Sequence, residues 1–282
     1  MSAVTLDYAS PDALLRDRIS LFYEFRANVP LFEDVERADL AQFRFVLEGG
    51  EGEYRFADGH VAPTPRIQII GPTTGPTSVR AEGPIHMFGA GLLPAGWAQM
   101  LDFEASLLVN RVIDAVDLFG PRLLKAAGDL RAAGTLDEKV RIGAALVHEL
   151  IGRGKSEAFD FTRVVDDWLA SSPSPDVDEL VRASRVSRRQ VERNCKRFYG
   201  SPPKVLARKY RALKAAISLA KHEAVTEDLL DHGFYDQSHF IREIKHFTGV
   251  TPKTIADGLP TLATLTLKRT AFVELSPLVT GT

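Results

Sequence analysis

The chain has 282 residues, 45 % of them hydrophobic and 26 % charged, with a formal net charge of −2. That mixture suits folded globular domains, and the length allows two of them; it excludes a disordered or fibrous chain. No apolar run approaches the ~20 residues that span a bilayer, "MSAVTLDYASPD" carries no basic-then-apolar leader pattern, and the single Cys195 excludes an intrachain disulfide, so the chain reads as cytoplasmic with no membrane partner.

In chain order, residues 19–93 predict β structure. "ISLFYEFRANV", "QFRFVLE", "EYRF", "RIQIIG", "TSVRAE" and "IHMFGAGL" are short β-branched and aromatic runs, parted by the turn clusters "EGGEGE", "DGHVAPTP" and "GPTTGPT". Strands at this spacing predict a small barrel or sandwich. After "LLPAGW" the pattern turns helical through "PAGWAQML", "FEASLLVNRVI", "PRLLKAAGDLRAA", "LDEKVRIGAALVHELIG" and "DFTRVVDDWLAS". The fourth of these carries Val140, Ala144, Val147 and Ile151 on one stripe.

The proline-broken "SSPSPD" predicts a linker. Beyond it the chain is helical to about Ile255, and the tail "TLATLTLKRTAFVEL" alternates like a strand. The expected organisation is α+β: a β-rich domain over 1–95, a helical connector or dimerisation region over 96–170, a linker at 171–177, an all-helical domain over 178–257 and a strand-like tail over 258–282.

Charge is divided unevenly. Residues 178–257 hold 16 Lys and Arg against 10 Asp and Glu, whereas the remainder holds 19 against 27. A basic block on an acidic body suits a polyanionic partner, most simply nucleic acid.

Within that block the sequence repeats. "SRRQVERNCKRFYGSPPK" (187–204) aligns with "DQSHFIREIKHFTGVTPK" (236–253) at a constant offset of 49. At ~100° per residue, Val191, Cys195 and Phe198 fall on one side of a helix, as do Phe240, Ile244 and Phe247. Opposite them stand Arg189, Arg193 and Lys196 in the first copy and Ser238, Arg242 and Lys245 in the second. Ser187 and Asp236 are predicted N-caps, with Gln190 completing a capping-box pattern. Each copy follows a short helical piece, "DELVRAS" or "TEDLLDH", and a turn, which is the helix-turn-helix plan. Between the copies "PPKVLARKYRALKAAISL" predicts a helix roughly 25 Å long, able to hold two such units about one DNA turn, ~34 Å, apart.

On these residues, 178–255 resemble the AraC/XylS family of bacterial transcription regulators, "GFYDQSHFIREIKHFTGVTP" closely and "SRRQVERNCKRFYGSPP" more loosely. The resemblance implies a double helix-turn-helix reader of double-stranded DNA, which meets RNA polymerase if it activates. It places Arg188, Arg189 and Gln190 at the groove-facing start of the first reading helix and Gln237, Ser238 and His239 at that of the second. With Ser187, Arg193, Lys196, Arg197, Arg242 and Lys245 these form the candidate DNA-binding set, in which phosphate contacts supply affinity and base-edge contacts supply sequence choice. The chain departs from the family's pattern at Cys195, usually Phe; at Arg185, usually Gly; at Asp228, usually apolar; and at Val181 and Leu229, usually alanines. Those changes predict repacked supporting helices.

The segment "RIQIIGPTTGPTSVRAEGPIHMFGAGLLPAGWAQML" resembles the cupin-like N-terminal domains of a subset of these regulators, through Gly71, Pro76, Phe88, Gly91, Pro94 and Gly96. Its apolar strand residues Phe22, Phe25, Phe43, Phe45, Ile67, Ile69 and Met87 either line a cavity for a small-molecule effector or fill the barrel. Many cupins are metal oxygenases, but a metal centre needs clustered His and carboxylate ligands, whereas His60 and His86 stand apart in their strands and no His-x-His or Gly-rich phosphate loop occurs. The expectation is therefore no metal, no cofactor and no catalysis. Cys195, on the apolar side of its helix, is expected as core filling and not as a reactive thiol. Two alternatives stay open: a cupin-type metal-dependent enzyme fused to a degenerate DNA-binding module, and a ligand-independent regulator governed by homodimerisation or a protein partner through helices 121–170.

Overall fold

The computed structural model describes residues 4–151, 157–223, 225, 233–258, 262, 266 and 267. Ten strands among them form two antiparallel sheets. One has the order β1 (Val4–Ala9), β2 (Ile19–Ala27), β9 (Ile85–Leu92), β4 (Ala41–Glu48), β7 (Ile67–Ile70), β10 (Val112–Asp114); the other runs β3 (Leu31–Glu36), β8 (Thr77–Glu82), β5 (Gly52–Arg55), β6 (Val61–Pro63).

Strand alternation assigns each face its neighbours. Phe22, Phe43, Phe45, Ile67, Ile69 and Phe88 point to a core shared with helices α1 (Pro94–Met100), α2 (Ala115–Phe119), α3 (Arg122–Ala132) and α4 (Leu136–Leu150). Tyr23, Phe25, Arg44, Gln68 and Met87 point the other way and line a cavity with Phe32, Tyr54 and Val79 of the second sheet. With both faces covered, β2 is buried at every position except Arg26, Ser20 and Glu24 included. Of the seven strand residues considered for a cavity, only Phe25 and Met87 line it; the other five pack under the helices.

Three local expectations are corrected here. "FEASLLVNRVI" is not a helix but a 3-10 turn at Ala105–Leu108 followed by β10. Asn110 turns the chain at φ 54°, its side chain accepting from the Thr74 N–H (2.9 Å) and donating to Thr74 Oγ1 (2.8 Å), and Val112 and Ile113 then pair with β7. Strand β1, absent from the sequence reading, pairs in register along β2 from Val4↔Ala27 to Ala9↔Phe22. The buried side of α4 centres on Lys139, Gly143, Leu146, Val147 and Leu150, so that of the expected stripe Val147 is central and Val140, Ala144 and Ile151 lie at its margin. Lys139 is hidden because its ammonium pairs with Glu24 (3.2 Å) and donates to Ala133 O (2.7 Å).

Beyond α4, helices α5 (Glu157–Ser171), α6 (Val177–Ser184), α7 (Arg188–Tyr199), α8 (Pro203–Ala220), α9 (Gln237–Thr248) and α10 (Pro252–Ala256) build a second core. Phe161, Val165 and Trp168 of α5 belong to it together with Leu180, Val191, Cys195, Phe198, Ile244 and Phe247. The break expected at 171–177 falls inside this core: the loop is short, the Trp168 indole N–H donates to Asp176 O (2.7 Å), and the Tyr199 hydroxyl reaches back to Thr162 O (3.0 Å). Of the tail, Gly258, Leu262, Thr266 and Leu267 are described; the last three are helical and buried where a strand was expected over 258–282, and the rest of that expectation lies outside the described residues. The helix expected over "TEDLLDH" lies outside them as well. No helix among the described residues is long and apolar enough to cross a membrane.

Candidate nucleic-acid interface

The first unit is α6, a turn and α7. Arg185 ends α6 in the left-handed conformation (φ 55°), the geometry for which a glycine is the usual solution. Ser187 then caps α7, its side chain accepting from the Gln190 N–H at 3.3 Å, the forward half of the expected capping box. Val191, Cys195, Phe198 and Tyr199 are buried, which leaves Arg188, Arg189, Gln190, Arg193, Lys196 and Arg197 exposed. Burial pushes the Cys195 thiol up to about 12, with Glu192 adding to the shift, so the thiolate is suppressed.

The second unit repeats this. Asp236 caps α9 by accepting from the His239 N–H (2.7 Å), and Glu243, Ile244, Phe247 and Thr248 are buried while Gln237, Ser238, Arg242 and Lys245 are exposed. Both reading helices end alike, with Gly200 and Gly249 left-handed at the C-cap.

Within the two faces the side chains are not equivalent. Arg188 pairs with Asp178 at the start of α6, and Arg197 lies over the ring of Phe198 at 5.2 Å. His239 is half-buried, its Nδ1 accepting from the Tyr235 N–H (3.1 Å) and its ring edge-on to Phe234. That bond occupies Nδ1 and orients the ring. Tyr235, 94 % exposed beside the α9 N-terminus, belongs to this surface although the sequence reading passed over it; the signal was an aromatic residue in a turn where nothing apolar is needed.

The central helix sets the second unit. The Arg208 guanidinium grips the buried Glu243 carboxylate of α9 through two bonds (3.0 and 2.7 Å), with Arg211 at 3.9 Å. Burial alone would raise the Glu243 pKa, but the Arg208 bonds outweigh it and hold it below the usual carboxylate range. The same helix anchors the β domain through Lys209, which is buried and donates to Asp39 O (2.6 Å) and Thr73 O (3.1 Å), and α9 adds a second tie, the Ala38 N–H donating to Phe247 O at 2.7 Å. Among the described residues, no group of three or more His, Cys, Asp and Glu side chains is arranged to hold a metal ion.

Comparison with known proteins bears on the helical half. Residues 180–257 match the family model described as a helix-turn-helix domain. The invasion protein InvF of Salmonella typhi, and that of Salmonella typhimurium, are 33 % identical over 73 residues, which is 26 % of this chain and 34 % of theirs. The chain thus spans about a third of the length of the curated relatives it matches. Among solved structures, ToxT from Vibrio cholerae superposes with a TM-score of 0.49 at 9 % identity, covering 91 % of this chain and 98 % of that one. The AraC-like transcriptional activator CuxR gives 0.32 at 16 % identity, over 74 % and 86 %.

Proposed function

We propose that the chain is a sequence-specific DNA-binding transcriptional regulator, controlled through its β domain by a small molecule or by self-association. The observation that carries this reading is the doubled face: two capped helices, related by a 49-residue repeat, each bury one apolar side and expose Arg, Lys, Gln and Ser on the other. Arg189 and Gln237, exposed on the first turns, are assigned to base edges. Arg193, Lys196, Arg242 and Lys245 are assigned to phosphates, and Tyr235 to the backbone beside the second groove. Ser187 serves mainly as a cap, Arg188 shares its charge with Asp178, and Ser238 and His239 complete the second surface.

Binding-site selection from a random duplex pool, followed by footprinting, tests this. The expected result is one enriched site protected in two successive major grooves on one face, about 34 Å apart. A folded protein that enriches no sequence would overturn it.

A further inference from the structure

The cavity between the two sheets, about 70 Å³, is walled by Leu6, Phe25, Phe32, Val79, Ile85 and Met87 around a polar centre. At that centre Arg44 is fully engaged: its guanidinium forms a fork with Glu36 (2.9 and 3.0 Å) and donates to the hydroxyls of Tyr23 (2.7 Å) and Tyr54 (3.2 Å). Arg37, also in the wall, pairs with Asp39 at 3.3 Å. With Glu82 the wall carries three carboxylates against two guanidiniums. An anionic ligand would add a further negative charge to a wall that already carries one more carboxylate than guanidinium, which low-dielectric surroundings penalise.

Gln68 Oε1 is among the buried polar atoms of this wall with no hydrogen-bond partner among the described residues. Gln68 is fully buried, and its Nε2 donates to Pro65 O (3.2 Å). A buried carbonyl acceptor of this kind gains most from a ligand O–H or N–H. At ~15 Å³ per water-sized site, the cavity holds about as many heavy atoms as a short alkanol or a phenol.

The roof comes from the far end of the chain. Leu262 packs against Phe25 and Phe32, its N–H donates to Asp34 Oδ2 (2.7 Å), and with Thr266 it closes the cavity. The adjoining Leu267 is fully buried in the core of the DNA-binding helices with Ile244 and Phe247 of α9. Thr266, which closes the cavity, thus adjoins Leu267, which packs with α9.

We propose that this cavity binds a neutral, mostly apolar small molecule bearing one hydrogen-bond donor, held at Gln68 Oε1, and that Leu262 and Thr266, which close it, transmit its presence through Leu267 to α9. This rests on the regulator reading above and narrows it, since it sets aside carboxylate effectors.

The test uses the full chain labelled with 13C-methyl methionine. Met87 lines the cavity, whereas Met100 lies in the helix-side core, so the two methyl signals separate specific binding from general partitioning. 1-Butanol and 1-pentanol are titrated against butanoate and pentanoate. The expected result is a saturable shift of Met87 alone by the alcohols, at concentrations about tenfold below those at which the acids act, with Gln68→Leu weakening the alcohols by about tenfold. Acids acting as strongly as alcohols, no Met87 response to any alcohol, or equal shifts of Met87 and Met100 would each overturn it. The alcohol is also expected to change the affinity for the selected duplex at least twofold in the unaltered protein and to lose that effect in Leu262→Ala. An alcohol that binds without changing DNA affinity removes the roof's role. DNA affinity without alcohol reports on the regulator reading separately, so the two failures are distinguishable.

Discussion

Gly200 and Gly249 stand 49 residues apart, end the two reading helices in the same left-handed conformation, and press on the β domain through one loop and its neighbours. A Cβ on Gly200 would lie 2.7 Å from Val109 and 3.3 Å from Pro72; one on Gly249 would lie 2.7 Å from Val35 and 2.9 Å from Pro76. The β domain thus holds both units of the repeat at equivalent points. Alanine at either position should cost about 1–2 kcal/mol from the left-handed backbone alone, and more at Gly249, where two close contacts must give. Urea unfolding of the two variants checks this; wild-type stability in both would show that neither contact exists as described.

Lys209 supplies a second tie between the halves, and it titrates. Burial pulls its pKa down to about 8, with Asp39 opposing the shift and Arg37 adding to it, whereas an unfolded lysine titrates near ~10.4. Between those values the unfolded chain binds more protons than the folded one. Stability from this group therefore rises with pH across that window, by at most about 1.4 kcal/mol per unit. Urea melts at pH 7.5 and 9.5 should show the gain in the wild type and a smaller one in Lys209→Met. An equal gain in both would assign the slope to other groups.

Arg185 marks a place where the helix-turn-helix plan is met with the wrong residue. A non-glycine side chain at φ 55° carries strain that glycine does not, and Arg185 is exposed. Arg185→Gly should stabilise the protein by about 0.5–1 kcal/mol and leave DNA sequence preference unchanged, as thermal melts and repeated site selection can establish.

The repeat is legible in the sequence because its caps, apolar side and C-cap glycines recur at a constant offset, and each is a local signal with a local cause. Ser187 and Asp236 cap their helices as their residue types predict. The missed features are those settled by distant partners. Phe161 and Phe198 meet across 37 positions of chain, which no periodicity records. Lys139 and Lys209 are buried because carbonyl oxygens and, for Lys139, Glu24 receive their ammonium groups, whereas hydropathy assigns every lysine to the surface. The strand-like alternation of the tail misleads for the same reason: Leu262, Thr266 and Leu267, spaced for one helical face, are fixed by β3 and α9 partners.

The proposed reading surface predicts two kinds of variant. Arg189→Ala and Gln237→Ala should each relax preference at one position of the selected site, at about 1–3 kcal/mol. Lys196→Ala and Lys245→Ala should weaken all duplexes alike and reduce the salt slope by about one. Tyr235→Phe should resemble the lysine variants in losing affinity without changing preference. Selection with each variant decides: unchanged preferences for Arg189→Ala and Gln237→Ala would mean that other side chains read the bases.

The last prediction concerns where an independent DNA-binding fragment begins. A fragment starting at residue 175 keeps both units but strips α5 from their core, exposing Phe198 and Tyr199 where Phe161, Val165, Trp168 and Leu169 covered them. It also removes the Thr162 carbonyl that accepts from the Tyr199 hydroxyl and the Trp168 indole that ties the loop to Asp176. Burying each large apolar side chain contributes about 1.5–3 kcal/mol, so losing four of them removes an amount comparable to the whole stability of a small domain, about 5–15 kcal/mol. A fragment spanning 157–282 should therefore melt cooperatively and bind the selected duplex, whereas one spanning 175–282 should melt at least 10 °C lower or without a cooperative transition. Circular-dichroism melts of the two compare them directly. Equal melting temperatures would place α5 outside the helical core and return the boundary to 171–177.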